Sequence, residues 1–421
     1  MNLFGMFGGD GGTRTILQWV FFIVIFMFVL PKLYFYQIFA KIDAAAKRLE
    51  KLSKEGQDDV VDATKKFGKN KKEIEANVKK FVDFFMVQPV NLDPNGILKK
   101  LEHTIDNTED RFIEMSETIA PKANSEEKMN VFMGLQASVV VHTIAKIVRH
   151  YVEMAKKFKN MQFAMLMQMQ LPIIEELAKS EKKGMEAFLK GHAIGDGIGP
   201  LIIAGFLDED GKEIAKDVLA KTEKKWGRKV TFVKAKGPGG RLGKLGDAIK
   251  KLCKKKIVKI ITVDASAKLE GEDTGKVAEG TGVAMGGIGV QRAKIEDIAT
   301  KNDIPLDAIA VKMSQFEAIY PMKKEIADAA ADAKELVKER VKTVPKGKHV
   351  IIVGVGNTCG VPNSNKKLKD VVKKIKKRAK KLKKEKEEKK KGWSIFKKTG
   401  TANNSMMLRF YKMVQSMTGG I

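Results

Sequence analysis

The sequence predicts a membrane-anchored protein of the α plus α/β class. Its predicted parts are one N-terminal transmembrane helix, a helical stalk or bundle, an α/β domain with a mostly parallel sheet, and a basic helical tail. Three observations lead to this layout: a long apolar run near the N-terminus, a region with few prolines and glycines after it, and frequent glycines and β-branched residues from Gly191 onward. The predicted boundaries are 1–39, 40–190, 191–365 and 366–421.

The apolar run predicts a retained membrane anchor. It extends from Ile16 to Leu30 with Gln18 as its one polar residue, and it resumes after Lys32. Thr15 to Phe39 therefore supplies the roughly 20 residues that a bilayer core requires, and no comparable run occurs elsewhere. Two alternatives fit this run less well. A cleaved signal peptide would need a basic start and a small-residue cleavage site, and a buried core helix would need a polar face.

Charge predicts the orientation of the anchor. Asp10 and Arg14 precede the run, whereas six basic residues follow it between Lys32 and Lys54. Because the more basic flank stays in the cytoplasm, we expect a single-pass protein of the cell membrane. Its N-terminus would lie outside and the bulk of the chain would be cytoplasmic.

Residues 40–190 predict a helical stalk or bundle, because apolar residues recur every three or four positions. A turn is expected at Asn91 to Gly96, and a helix start at Asn124 or Ser125. The methionine-rich stretch from Met161 to Leu171 has two interpretations: core packing of the bundle, or a soft peptide-binding groove.

Residues 191–365 predict an α/β domain. Strands are expected at 229–234, 257–264 and 349–355, with helices between them. The second and third of these strands are almost continuously apolar, which is typical of a parallel sheet covered on both faces.

Four glycine clusters in this domain predict a ligand site. They lie at 192–200, 237–246, 271–289 and 354–360, and three of them follow a predicted strand, where ligands of open α/β sheets bind. No Walker loop or Gly-x-Gly-x-x-Gly fingerprint is complete in any cluster. The alternative is that the glycines form tight turns around polar loops that hold no ligand.

The candidate residues combine these glycines with the charged groups beside them. The predicted ligand-binding residues are Asp196, Gly197, Gly239, Arg241, Lys244, Asp264, Lys268, Glu270, Glu272, Asp273 and Asn357. Asp264 and Glu272 are the candidate ligands for Mg²⁺, because carboxylate oxygens at a strand end suit this ion. Cys359 is a weaker candidate nucleophile, since no histidine is paired with it in the sequence.

The net charge of +28 suggests anionic partners. Residues 366–391 hold 16 Lys or Arg and 4 Asp or Glu, with apolar residues at heptad spacing, and Trp393 and Phe396 follow. We expect this tail to be a helix that contacts anionic lipid headgroups, with RNA or the ribosome as the second candidate partner. A solvated helix without a partner is the alternative.

Three motifs resemble an uncharacterised archaeal family of membrane-anchored proteins, known as a domain of unknown function. They are His192 to Pro200, Lys268 to Gly275 and Val353 to Thr358, together with the N-terminal apolar run. The resemblance covers residues 1 to about 365. It implies an anchor and this domain layout, but no reaction.

The leading functional hypothesis is a membrane-tethered cytoplasmic α/β protein. It would bind and hydrolyse a phosphorylated or nucleotide-like ligand, with Mg²⁺ as the candidate cofactor. The alternative is a non-enzymatic membrane adaptor whose basic tail binds anionic lipid, RNA or the ribosome. The glycine and acidic loops favour the first hypothesis, and the surplus of positive charge favours the second.

Overall fold

The computed structural model of the protein describes residues 19–21, 23–89, 96–253, 256–286 and 289–382. The chain divides into two compact units, Met1–Leu368 and Lys369–Ile421. The first unit contains a helical N-terminal region followed by an α/β domain. In the second unit, residues 369–382 are helical. The rest of the predicted tail, including Trp393 and Phe396, lies outside the described residues.

Five long helices build the N-terminal region. They are α1 (Leu30–Thr64), α2 (Lys71–Phe81), α3 (Ile97–Ile119), α4 (Ser125–Phe158) and α5 (Met161–Leu189). Helices α1, α4 and α5 pack on one another, and their buried faces form one of the two cores of this region. The predicted turn at Asn91 to Gly96 falls mostly outside the described residues.

The predicted start of α4 is confirmed by its cap. The side chain of Asn124 accepts a hydrogen bond from the N–H of Glu127, and the side chain of Glu127 accepts one from the N–H of Asn124. This reciprocal capping box satisfies two backbone donors that a helix start otherwise leaves unpaired. A sequence pattern of Asn followed three residues later by Glu therefore located the boundary.

Within the part of the chain that the structure describes, two helical stretches are long and apolar enough to cross a membrane. The first is Trp19–Phe67, whose most apolar window is not buried against the rest of the protein. The second is Ser125–Phe158, which the sequence analysis did not recognise as comparable, and half of its most apolar window is buried. Burial in the bundle accounts for much of the apolar character of the second stretch, whereas the first has no such explanation among the described residues.

The α/β domain contains a seven-stranded sheet. Its strands are β1 (Lys212–Ala215), β2 (Val218–Lys225), β3 (Arg228–Ala235), β4 (Lys259–Ala267), β5 (Val277–Thr281), β6 (Leu306–Met313) and β7 (His349–Gly354). They are arranged in the order β1-β2-β3-β7-β4-β6-β5. The neighbours from β3 through β7 and β4 to β6 run parallel, whereas β1, β2 and β5 add antiparallel edges.

The sheet is therefore mixed, and the prediction of a mostly parallel sheet was too strong. The antiparallel pairing of β1, β2 and β3 follows from short connections. Trp226 and Gly227 both have positive φ angles, 53° and 73°, so they join β2 to β3 in the two-residue turn that favours a hairpin. The strand β2 begins with three buried apolar residues and ends in Lys-Thr-Glu-Lys-Lys, a weaker sequence signal than the continuous apolar run of β7.

Helices cover both faces of the sheet. They are α6 (Ile198–Ala204), α7 (Leu245–Leu252), α8 (Val290–Lys301), α9 (Gln315–Ile319), α10 (Lys324–Asp328) and α11 (Ala330–Lys342). Helices α7 and α8 share a core with Val233, Ile351 and Val353. Helix α6 packs on the opposite face, where Phe206 stacks on Phe232 at 5.2 Å. Because both faces are covered, a ligand can approach the sheet at its edges and at its strand ends.

Candidate functional site

A cavity of about 510 Å³ lies where the parallel strands β3, β7 and β4 end. Its floor contains Asp264 of β4 and the Val355–Gly356 segment that follows β7. Its walls include α3 and α4 of the helical region and the first turns of α7 and α8. The cavity therefore occupies the position in which open α/β sheets bind their ligands, and the helical region closes one side of it.

Two carboxyl groups, the buried Asp264 and the partly buried Asp196, line this cavity. Asp196 Oδ2 accepts a hydrogen bond of 2.7 Å from the N–H of Asn357, and Asp264 Oδ1 accepts one of 2.6 Å from the N–H of Ala265. Burial raises the pKa of both groups, and the charge of Asp196 raises the pKa of Asp264 further. Two interacting carboxyl groups of this kind retain a proton when ordinary carboxyl groups are ionised, so that one can donate a proton and the other accept one.

Glycines allow Asp196 to reach this position. A Cβ atom on Gly199 would overlap the carbonyl oxygens of Val263 and Val355, and a Cβ atom on Gly356 would overlap the carbonyl oxygen of Asp196. Gly356 also has a φ of 127°, which few other residues adopt. The first and fourth glycine clusters therefore pack against each other, and they bring the Asp196 turn against the ends of β4 and β7.

The second cluster, predicted as a phosphate-binding loop, already binds carboxylate and amide groups of its own chain. The N–H of Gly239 donates to Glu126, and the N–H of Gly240 donates to Asn130 Oδ1 at 3.0 Å. Arg241 is buried and its Nη1 lies 2.6 Å from Glu126 Oε2, while its Nε lies 3.0 Å from Asp217 Oδ1. Glu126 thus occupies the anion position of this loop and joins it to α4.

The third cluster contributes an open helix start. Gly289, with a φ of 68°, precedes α8 and has no side chain to cap it. Gly289, Val290, Gln291 and Arg292 all line the cavity. The first-turn N–H groups of α8 are therefore the backbone donors at which an anion could bind.

The acidic loop after β4 does not share the cavity. Lys268, Glu270, Glu272 and Asp273 are not among the described residues that line it. Glu272 is only partly buried, and the N–H of Leu269 holds the pKa of its carboxyl group below the usual value. The surroundings of Glu272 therefore lower its pKa, whereas those of Asp264 raise its pKa. The sequence analysis had paired these two residues as Mg²⁺ ligands. Among the described residues no group of three or more His, Cys, Asp or Glu is arranged to hold a metal ion.

The structure thus brings together Asp196, Arg241, Lys244 and Asp264 among the predicted side chains. Gly239 donates to Glu126 beside the cavity, as described above, and Gly197 packs against the carbonyl of Asn357. Asn357 is buried next to Asp196 and accepts a hydrogen bond from the N–H of Cys359.

The sequence analysis missed the contribution of α3. Glu102, Asp106 and Glu109 line the cavity from this helix, and Asp106 Oδ2 lies 2.6 Å from the Nζ of Lys244. Burial raises the pKa of Glu109. The spacing of four and three residues places these acids on one helix face, a signal present in the sequence that does not indicate which part of the protein the face meets.

Two family models match the chain. Residues 16–191 match the one described as "Protein of unknown function (DUF1512) N-terminal domain". Residues 194–362 match the one described as "Domain of unknown function (DUF1512) C-terminal". No curated protein and no solved structure matches the chain.

Proposed function

The chain belongs to the DUF1512 family, and we propose that its cavity binds and hydrolyses a phosphorylated or nucleotide-like small molecule. The observation that carries this proposal is the presence of two elements in one cavity: the neighbouring carboxyl groups of Asp196 and Asp264, and the open start of α8. Carboxyl groups with raised pKa values destabilise a fold, so their presence at a cavity favours a chemical role over a purely structural one.

The start of α8 is the proposed phosphate position. Its first N–H groups and the positive end of its dipole favour an anion. The described residues that line the cavity also include six carboxyl groups and four basic side chains. This surplus of acid favours a ligand whose phosphate enters with a divalent cation, as Mg²⁺-bound phosphates do.

The carboxyl pair is the proposed acid and base. One group would accept a proton from water as the water oxygen bonds to phosphorus. The other would donate a proton to the oxygen that leaves as the old phosphorus–oxygen bond breaks. The apolar part of the ligand would contact Met129, Met133 and Met285, whose flexible side chains adapt to varied shapes.

A ligand panel on the full chain in detergent micelles tests this function. Nucleotides, sugar phosphates and inorganic phosphate, each with and without Mg²⁺, are added while thermal unfolding is followed. We expect at least one phosphorylated compound to raise the Tm, and Asp264→Asn to abolish that shift without unfolding the protein. Glu272→Gln, on the exposed loop, is the matched control and should retain the shift. An Asp264→Asn protein that still responds fully would contradict the proposal.

We further propose that the helix from Trp19 tethers the protein to the cell membrane, with the N-terminus outside and the α/β domain in the cytoplasm. The support is the exposed apolar surface of this helix, where Trp19 is 66% and Tyr36 is 70% exposed. Cysteines placed in residues 2–12 should react with a membrane-impermeant reagent on intact cells, while cysteines at 366–382 should be protected. The reverse pattern would invert the topology.

A membrane adaptor is the second candidate function, favoured by the basic charge of residues 366–391. A peptide of residues 366–417 should then bind anionic vesicles and gain helix, and it should not bind neutral vesicles. A preference for RNA over vesicles at physiological salt would assign the tail to nucleic acid instead.

A further inference from the structure

The tip of the α4–α5 hairpin exposes apolar side chains. Helix α4 ends at Phe158 and α5 begins at Met161. Phe158 is 64% exposed, Leu166 is 57% exposed and Met169 is 71% exposed. Soluble proteins seldom expose several large apolar residues so close together without a partner.

Ion pairs establish the level of this tip along α1. Lys156 Nζ lies 2.7 Å from Asp43 Oδ1, and Arg149 Nε lies 2.6 Å from Glu50 Oε1. From Lys156 to Arg149 the residue number falls by seven, while the number of the partner on α1 rises by seven, so α1 and α4 are antiparallel. Extending this register by two residues places Phe158 level with Lys41. Phe35, Met161 and Phe163 all pack against the core that α1, α4 and α5 share.

The exposed apolar part of the N-terminal helix begins where the hairpin ends. Tyr36 precedes Lys41 by five residues, which is about 8 Å at 1.5 Å per residue. From Tyr36 back to Trp19 is 17 further steps, or about 26 Å, close to the thickness of a bilayer core. If Trp19 to Tyr36 crosses the core, the hairpin tip lies within the headgroup layer, which is roughly 5–8 Å thick on each side.

The charge at the tip suits that layer. Lys157 and Lys159 are exposed beside Phe158, and Lys157 Nζ lies 5.7 Å from the centre of the Phe158 ring. Basic side chains next to exposed aromatic and aliphatic ones are typical of segments that lie in an anionic membrane interface.

We propose that the hairpin tip, residues 157–166, is a second membrane contact. It inserts Phe158 and Leu166 shallowly among anionic headgroups, beside the transmembrane helix. This inference rests on the proposed tether. The two contacts together would prevent the helical region from swinging about a single anchor.

The test uses the full chain, reconstituted in vesicles of phosphatidylglycerol and phosphatidylcholine. An environment-sensitive fluorophore is attached to one cysteine at a time, in a Cys253→Ser background; Cys359 is buried. The labelled variants are Phe158→Cys at the tip, Phe26→Cys in the tether and Leu269→Cys, which is 73% exposed on the α/β domain. Quenchers are carried by lipids at shallow or deep positions.

We expect shallow quenchers to remove about half or more of the fluorescence at position 158, deep quenchers to act at position 26, and neither to act at 269. Quenching at 26 without quenching at 158 would overturn the second contact and leave the tether intact. No quenching at 26 would overturn the tether and this inference with it. Energy transfer between labels at 158 without lipid quenching would assign the surface to a second copy of the chain. Quenching at 269 would also overturn the inference, because the whole protein would then lie on the bilayer.

Discussion

The helical region and the α/β domain differ in where their charged and apolar side chains lie. In the helical region, Arg149 and Lys156 form a surface network with Asp43, Glu50 and Glu153, while large apolar side chains are exposed at the hairpin tip. In the α/β domain most apolar side chains are buried, and the charged groups of Arg241 and Asp264 are buried with them around the cavity. Burying a charge costs folding free energy and is typical of catalytic sites, whereas exposed apolar surface is typical of sites that bind a partner or a membrane. The contrast therefore supports the two separate proposals, a catalytic cavity in the α/β domain and a membrane contact in the helical region.

The largest effect should come from filling the close backbone contacts that support the cavity. We expect Gly199→Ala to lower the free energy of unfolding by about 3 kcal/mol or more, since its Cβ would meet two carbonyl oxygens. Gly280→Ala is the control, because its Cβ would meet no described atom within 4 Å. Urea unfolding of both variants measures the difference. Equal stability of the two would show that the packing of the glycine clusters is not required.

The second largest effect should be the difference in stability between removing a buried ion pair and removing an exposed one. Arg241→Met removes the partner of Glu126 and Asp217 and should cost about 2 kcal/mol, because its side chain is only 5% exposed. Arg111→Met removes an exposed pair with Glu114 and should cost less than about 1 kcal/mol. Thermal and urea unfolding distinguish them. An Arg111 variant as unstable as the Arg241 variant would remove the contrast between the regions.

The pH dependence of stability should identify the carboxyl pair. The pKa of Asp264 is raised by burial and by Asp196, so the folded state holds a proton that the unfolded state releases above about pH 4. The contribution of this pair to the free energy of unfolding is therefore greatest at low pH, and it falls as pH rises through the folded-state pKa. Asp264→Asn should flatten this dependence and stabilise the protein on the order of 1 kcal/mol at neutral pH.

Glu272→Gln gives the matched comparison of opposite sign. The pKa of Glu272 is lowered by the N–H of Leu269, so its ionised form favours the folded state, and that contribution is lost as pH falls. Unfolding measured from pH 4 to pH 8 separates the two variants. A neutral or destabilising Asp264→Asn substitution across this range would indicate that Asp264 is structural.

The smallest effect is expected at the hairpin tip. Phe158→Ala in detergent micelles should change the free energy of unfolding by less than about 0.5 kcal/mol, because the side chain is mostly exposed. A loss of several kcal/mol would mean that Phe158 supports the helical core, and it would weaken the proposed role of the tip in membrane contact.

Local sequence signals predicted what is local in the fold. The capping pair Asn124 and Glu127 located the start of α4, and the apolar run at 349–355 located β7. The short polar strands β1, β2 and β5 carried no comparable pattern and were missed. The antiparallel edges of the sheet were missed with them.

The site was predicted in part for the same reason. Asp196, Asp264, Arg241 and Lys244 could be grouped because they follow strands or precede helices. The acids of α3 could not, since nothing in the sequence indicates that this helix lies across the strand ends. Glu126 meets Gly239 across 113 residues, a separation over which composition gives no information.

That same contact between Glu126 and the loop of Gly239 and Arg241 has a consequence for biogenesis. Translation proceeds from the N-terminus, so Glu126 emerges from the ribosome 113 residues before Gly239. The helical region can therefore assemble first and serve as a template on which the later half completes its fold. A fragment that begins at Gly191 would lack this template. It would leave the Gly239 N–H and Nη1 of Arg241 without Glu126, and the Gly240 N–H without Asn130. The two halves should accordingly be produced as one polypeptide, or co-expressed, for either to be studied in its native conformation.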